Sequence, residues 1–401
     1  MEIKAIYFYP IKALRPIPLP SATLTPQGII HDRSYMLFKL NPDSSLVKLQ
    51  LDKFPQCALF SQELVSSASS SATTDGAGDI ILVRYHTPSP PLISHHPLQD
   101  ATLSVPLVPN TSDLTSIDVD LHGSPASALR MGDPYDTFFS ACFGFPTILV
   151  HIGSGRRPVL GTFAPPAPGA QQLQQQPSLS SFIKSHLPSI TKTAPEKDRH
   201  WLTFSDVAPY LITSTSSLTH PSFLHFQTPS PTNFEIMPKF RPNIVVHDPA
   251  EPPFAEDFWA ELTLPSTSIT FSPRHSETAK PPTKPKAKLL LTANCGRCTS
   301  LNVSYALGRP GPGPEGKLLA TLMKDRRVDP GHKYSPVFGR YAFLSVEEGD
   351  ASFDARHMTI RLHVGDHLVV TKRNKKRTTF DWPIPSSAAV TASEKPAEIV
   401  A

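Results

Sequence analysis

The chain has 401 residues, room for two or three domains. Its net charge of +4 gives no dense basic face, which argues against a nucleic-acid binder. Four cysteines are too few for a secreted disulfide scaffold of this length, and no apolar run reaches the ~18 residues needed to cross a bilayer.

In chain order, Met1 to Pro10 alternates as a strand with both faces partly buried, and Pro10 ends it. No signal or transit peptide fits ahead of it. Ala22–Thr25 and Ser34–Leu40 predict further strands, separated by the turn Pro26-Gln27-Gly28. Lys48–Leu51 and Ala58–Phe60 continue the extended pattern. Ile80–Tyr85 and Ile117–Leu121 read as strands. The clearest helix starts at Asp133, with Pro134 at its first position and Gly144 as terminator. Tyr135, Phe138, Phe139 and Cys142 form its apolar stripe, so Cys142 is expected in the core.

Thr147–Ile152, Trp201–Phe204, Tyr210–Ser214, Ile244–Val246 and Leu289–Thr292 predict strands. Ala255–Leu262 fits a short helical turn or a strand edge. Leu318–Lys324 is a helix candidate, and Tyr341–Val346, Met358–Leu362 and His367–Thr371 complete the strands. Between these elements the 45 prolines cluster in low-complexity insertions. The insertions are Ser66–Gly78, Thr87–Pro97, Ala164–Pro177 and Ser272–Lys288. The basic runs Lys284–Lys288 and Lys372–Arg377 read as solvated linkers. The expected organisation is a mainly β (β-rich α+β) chain. It comprises a barrel over 1–150, a linker over 151–200, a second β domain over 201–375 and a disordered tail over 376–401.

The sharpest local feature is Asn294-Cys295-Gly296-Arg297-Cys298. Zinc wants four ligands, and the sequence offers no second Cys-x-x-Cys or finger-spaced His pair. A thioredoxin-type pair wants the first cysteine at a helix N-terminus, but Thr299–Ser304 is β-like and polar. A single thiolate ligand to a soft metal, with Arg297 beside it, is a third reading. By spacing alone, two core cysteines near a strand end is the reading that leads over all three.

Several separated motifs, standing in family order, resemble the MOSC family. Within that family the similarity is to the amidoxime-reducing component of mitochondria and its bacterial relatives. The motifs open with Ile6-Tyr7-Phe8-Tyr9-Pro10-Ile11-Lys12, then Gly28 and Asp32-Arg33. Phe204-Ser205-Asp206 and Phe240-Arg241-Pro242-Asn243-Ile244-Val245 follow. Ser335 to Tyr341 and Val364-Gly365-Asp366 come after the cysteine pair. The resemblance implies an N-terminal MOSC-type β-barrel followed by a C-terminal MOSC β-barrel.

The implied cofactor is the molybdenum cofactor, Mo-molybdopterin, with Cys298 as metal ligand and Cys295 as the less essential cysteine. Lys12 and Arg33 match the residues that hold the pterin phosphate, and Arg241 and Asn243 match cofactor contacts. Arg297 stands beside the thiolate, and Asp206 matches an acidic residue of the pocket, expected to act with Cys298 in catalysis.

The implied activity is reduction of N-hydroxylated small molecules. In eukaryotic relatives the electrons come from a cytochrome b5-type donor and its reductase. A molybdenum-cofactor or persulfide carrier without turnover is the alternative. The expected location is intracellular, cytoplasmic or on the mitochondrial surface. Ala13, Val207 and Ala208 depart from the family by lacking hydroxyl donors. Taken singly, Arg33 beside Asp32 would be a surface ion pair worth under ~1 kcal/mol. Likewise Val364-Gly365-Asp366 would be a turn, and His95, His96 and His332 would face solvent.

Overall fold

The computed structural model describes residues 1–66, 78–165, 200–226, 235–271, 286–347 and 358–382. The central parts of the insertions at 66–78, 164–177 and 272–288, most of the 151–200 linker, and the tail from 383 lie outside the described residues.

An eight-stranded sheet organises the chain. Its order is Ile17–Leu19, Glu2–Phe8, Ile244–His247, Tyr210–Ser214, Val337–Glu347, Lys286–Gly296, Trp259–Thr263 and Val369–Arg373. All neighbours run antiparallel except Tyr210–Ser214 against Ile244–His247, which is parallel. A second sheet holds Thr115–Asp120, Pro125–Arg130, Thr147–His151, Tyr35–Leu40 and Leu46–Lys48. Phe60–Val65, Ile80–Tyr85 and Thr102–Pro106 form a three-stranded sheet beside it.

The strand-rich class agrees with the alternation in the sequence. The five-stranded and three-stranded sheets lie on one side of the expected boundary near residue 150, whereas the eight-stranded sheet takes strands from both sides of it. Glu2–Phe8 pairs with Ile244–His247, and Ser21–Thr25 pairs with Met358–His363. The main core cluster accordingly mixes Ile3, Ile6 and Phe8 with Ile244, Leu289 and Leu344. Apolar strand faces from both halves are removed from water together, so the halves are stabilised jointly.

The helix forms as Tyr135–Phe143. Asp133 accepts the Thr137 N–H at 3.1 Å, and Gly144 ends the helix at φ 76°, a conformation that suits glycine. Cys142 is buried in the core, as its place on the stripe requires.

Three local expectations change, and one that was left open is resolved. Residues 55–59 make a 3-10 turn, because Pro55 cannot donate to a ladder. Ala255–Phe258 is a 3-10 turn and Trp259–Thr263 a strand, so both readings of that stretch hold in succession. The residues after Cys298 form the 3-10 turn Thr299–Asn302 rather than extended chain. The basic run at 372–377 is not a solvated linker: Lys372 and Arg373 lie on a strand, and Arg377 Nε reaches buried Asp257 at 2.8 Å.

The expected tail also begins later than residue 376. Residues 374–382 run as an ordered strap. The Asn374 N–H donates to Phe258 O at 2.7 Å, and the Phe380 N–H to Asp329 at 3.0 Å. Among the described residues, no helix is long and apolar enough to cross a membrane.

Candidate functional site

Strand pairing gathers the site. Glu2–Phe8 delivers Tyr9 and Lys12 just past its end, and Ile244–His247 is preceded by Arg241 and Asn243. The Tyr7 N–H donates to Asn243 O at 2.9 Å, locking the two segments side by side. Asn243 also ties in the neighbouring strand, because its backbone N–H donates to Leu211 O at 2.9 Å while its Oδ1 accepts the Leu211 N–H at 3.2 Å. Lys286–Gly296 and Val337–Glu347 then bring the cysteine loop to the same place.

One cavity of about 810 Å³, its open mouth included, is lined by all seven residues singled out in the sequence. They are Lys12, Arg33, Asp206, Arg241, Asn243, Arg297 and Cys298.

Asp32 is the buried hub beneath it. It accepts the Tyr9 N–H at 2.8 Å, Asn243 Nδ2 at 2.9 Å and the Arg33 guanidinium. Asp32 and Arg33 are both buried, so the pair is not the weak surface bridge their adjacency suggested. Arg33 and Arg241 both adopt left-handed backbone, φ 51° and 54°, which non-glycine residues rarely take. Both guanidiniums stand over the Tyr9 ring, 4.7 and 4.4 Å from its centroid. An aromatic face attracts cations, which offsets part of their mutual repulsion.

Lys12 is buried and donates to Phe204 O at 2.8 Å and to Asp206 Oδ1 at 2.6 Å. Burial pulls its ammonium down to about 8 against the opposing pull of Asp206. Asp206 has the reverse balance. Burial raises its carboxyl, but Lys12 and His122 outweigh that and hold it well below the usual carboxylate range. It is therefore a fixed carboxylate, suited to accepting hydrogen bonds rather than to giving a proton.

The two cysteines differ sharply. Cys295 is buried and receives Arg297 Nη1 at 2.7 Å. Burial pushes its thiol up despite Arg297, so it stays protonated. Cys298 is exposed on the cavity, with Ser300 Oγ 3.1 Å from its sulfur. Among the described residues, no group of three or more His, Cys, Asp or Glu could hold a metal, so a four-ligand zinc site finds no further ligands there.

Gly296, between the cysteines, has a specific reason to be glycine. A Cβ there would fall 2.4 Å from His332 Cε1. His332 is itself wedged in place, its ring 3.8 Å from that of Phe380 on the strap. The expectation that His332 faces solvent is corrected on this point. His95 and His96 are exposed, as expected. Val364–Asp366 is a turn, with Gly365 at φ 94°.

Tyr9, Asp32, Tyr341, His122 and Arg157 carry much of the site's structure, and sequence reasoning gave none of them a role. Tyr341 lines the cavity, and burial raises its hydroxyl well above the ordinary range. Arg157 lies inside the stretch read as linker, yet it is fully buried. Its one sequence signal is the apolar strand Thr147–His151 shortly before it.

A model of the MOSC N-terminal beta barrel domain matches residues 1–146, and one of the MOSC domain matches residues 199–369. The chain belongs to the MOSC-domain family. The matches leave out 147–198 and everything after 369, so both Arg157 and the strap at 374–382 are features of this MOSC chain beyond the matched regions. Among curated proteins, no relative matches the chain.

Proposed function

We propose that this MOSC protein is a molybdenum-cofactor-dependent oxidoreductase that reduces N-hydroxylated, amidoxime-type substrates with electrons from a separate donor. The observation that carries the reading is the asymmetry of the cavity. It presents one accessible thiol, Cys298, facing a set of cations in which Lys12, Arg33 and Arg297 are buried.

The residues present fit such a cofactor. Arg297 Nε is buried without a partner in the described structure, and Arg297 lines the cavity. An unpaired buried donor is costly, so a ligand acceptor there is favoured. Lys12 and the arginines suit a phosphate, and the Asn243 amide is already committed to Asp32, so its role is to brace the pocket. Ala13 and Ala208 line the cavity without hydroxyls, beside the four cationic side chains Lys12, Arg33, Arg241 and Arg297.

Cys298 rather than Cys295 is the metal ligand in this reading, because Cys298 is exposed on the cavity while Cys295 is buried and held by Arg297. When bound, the cofactor supplies two-electron redox chemistry at a metal able to accept oxygen. In the overall reaction the N–O bond breaks, and two electrons and two protons convert amidoxime to amidine and water. Asp206 is the acceptor available for the substrate's N–H groups. The resemblance implies a cytochrome b5-type donor with its reductase as the electron source.

The test is to purify the protein from a cofactor-competent host and to measure molybdenum and pterin, for wild type and Cys298→Ser. Near-stoichiometric metal that is lost in the variant, with benzamidoxime reduction by a supplied donor, is the expected result. Metal absent from both proteins would overturn the reading. Metal retained without reductase activity would favour a second reading, a cofactor or persulfide carrier, which the exposure of Cys298 also allows.

A further inference from the structure

We infer that His122 is a positioning residue of this cavity, acting through Asp206 on the charge that Lys12 presents to an anionic ligand. The inference rests on the reading above in one respect, that Lys12 faces an anion.

His122 and Gly123 are the central pair of the four-residue turn, 121–124, that joins Thr115–Asp120 to Pro125–Arg130 and is closed by backbone bonds between Leu121 and Ser124. Their φ values are 65° and 77°. Such turns favour Asn-Gly, and an imidazole in left-handed backbone costs on the order of 1 kcal/mol. A strained residue persists where its surroundings fix it, and here a buried arginine does so. Arg157 donates to Leu121 O at 2.9 Å and Ser124 O at 3.1 Å, on either side of the turn. The same guanidinium donates to Thr203 O at 2.8 Å and Ser205 O at 2.6 Å, beside Asp206. One side chain thus bolts the His122 turn to the Asp206 segment, 84 residues apart in sequence. The Trp382 ring meets the imidazole edge-on at 5.9 Å.

The result is a shared oxygen. His122 Nε2 stands 3.3 Å from Asp206 Oδ1, the atom that also takes Lys12 Nζ at 2.6 Å. The Gln50 amide lies 3.2 Å from the same ring nitrogen. With His122 neutral, Asp206 neutralises Lys12. With His122 protonated, the carboxylate is divided between two cations, and more positive charge is left for a ligand. The other charges around this group are Asp120 on the turn, Arg157 behind it, Arg33 and Asp52 on the cavity wall, and Asp381 beside Trp382. Imidazole is the side-chain type whose ordinary range lies between pH 5 and 7. Over that window Asp206 stays ionised and Lys12 stays largely charged.

Sulfate is a suitable probe because it keeps its charge across this window. Binding of sulfate to the full cofactor-free chain is measured by calorimetry at about pH 5 and about pH 7, the window in which imidazole changes charge. Wild type is expected to bind more tightly at the lower pH, on the order of tenfold. His122→Asn keeps a residue that suits the turn and removes the imidazole, so the pH dependence should vanish while the melting temperature is kept or raised. Asp206→Asn should also flatten it and should tighten binding at the higher pH, because Lys12 loses its counter-charge.

A wild-type affinity that does not change with pH, absence of sulfate binding, or a pH dependence retained in either variant overturns the inference. None of these results touches the molybdenum and pterin assay of Cys298→Ser, so the two readings fail separately.

Discussion

Asp32→Asn tests whether the buried hub beneath the cavity holds the two halves of the site together. The aspartate is almost fully buried and binds three donors from segments more than 200 residues apart. Asparagine has nearly the same shape, so packing is preserved and the change is electrostatic. One amide oxygen can keep the Tyr9 N–H bond. The new NH₂ group must then face the Arg33 guanidinium or the Asn243 amide, donor against donor, and Arg33 is left as a buried cation without its counter-charge. Hydrogen bonds to a charged group contribute ~1.5–3 kcal/mol each, and breaking a buried ion pair from one side costs about 3–5 kcal/mol. Part of the lost bonding is inside that second figure, so the expected destabilisation is about 3–5 kcal/mol. Urea unfolding of wild type and variant measures it. Because Asn243 shares the network, Asp32→Asn and Asn243→Ala should be strongly non-additive in a double-mutant cycle. A loss below about 1 kcal/mol, the size of a surface pair, or strict additivity would refute the reasoning.

Three further outcomes follow from other contacts. Gly296→Ala should cost about 1–3 kcal/mol, as overpacking does, because the new methyl meets the His332 ring; His332→Ala should restore most of it, read by thermal unfolding. Arg157→Met should strand the carbonyls of Thr203 and Ser205, whereas those of Leu121 and Ser124 keep each other's backbone N–H, and should lower stability by about 2–6 kcal/mol, measured by urea unfolding. Glu256 is fully buried against Ser217, and burial raises its carboxyl from about 4.5 to about 7. The folded state therefore binds that proton more tightly than the unfolded state. Its contribution to stability is full below about 4.5 and is lost as pH rises to about 7, up to about 3 kcal/mol. Glu256→Gln should remove that slope and be the more stable protein at about pH 8, as followed by unfolding across pH.

Several strands of this protein were legible in a single sequence as short runs rich in apolar and β-branched residues: Tyr210–Ser214 and Ile80–Tyr85 form as read. Their partners were not, since no local pattern says that Glu2–Phe8 should pair with a strand 240 residues later. The motifs around Lys12, Arg33, Arg241 and Cys298 could be named, but their meeting in one cavity is a product of that pairing. Charged residues show the same limit in another form. Asp32 and Arg157 look like surface residues because charges are rarely buried unless partnered, and the partners come from distant segments.

Gly296 makes the point at a single atom. A glycine between two cysteines reads as loop flexibility, yet its lack of a side chain is required by His332, which in turn rests on Phe380. Phe380 belongs to a stretch that composition assigned to a disordered tail. That same strap anchors through Phe380 to Asp329, whose other oxygen binds Asn294, the residue just before Cys295. The segment least like fold in the sequence therefore braces the loop that presents Cys298. Truncating the chain before residue 374 should for that reason loosen the cysteine loop first, seen as faster amide exchange at residues 294–298 than in the Tyr135–Phe143 helix. Unchanged exchange in that loop would place the strap outside the site.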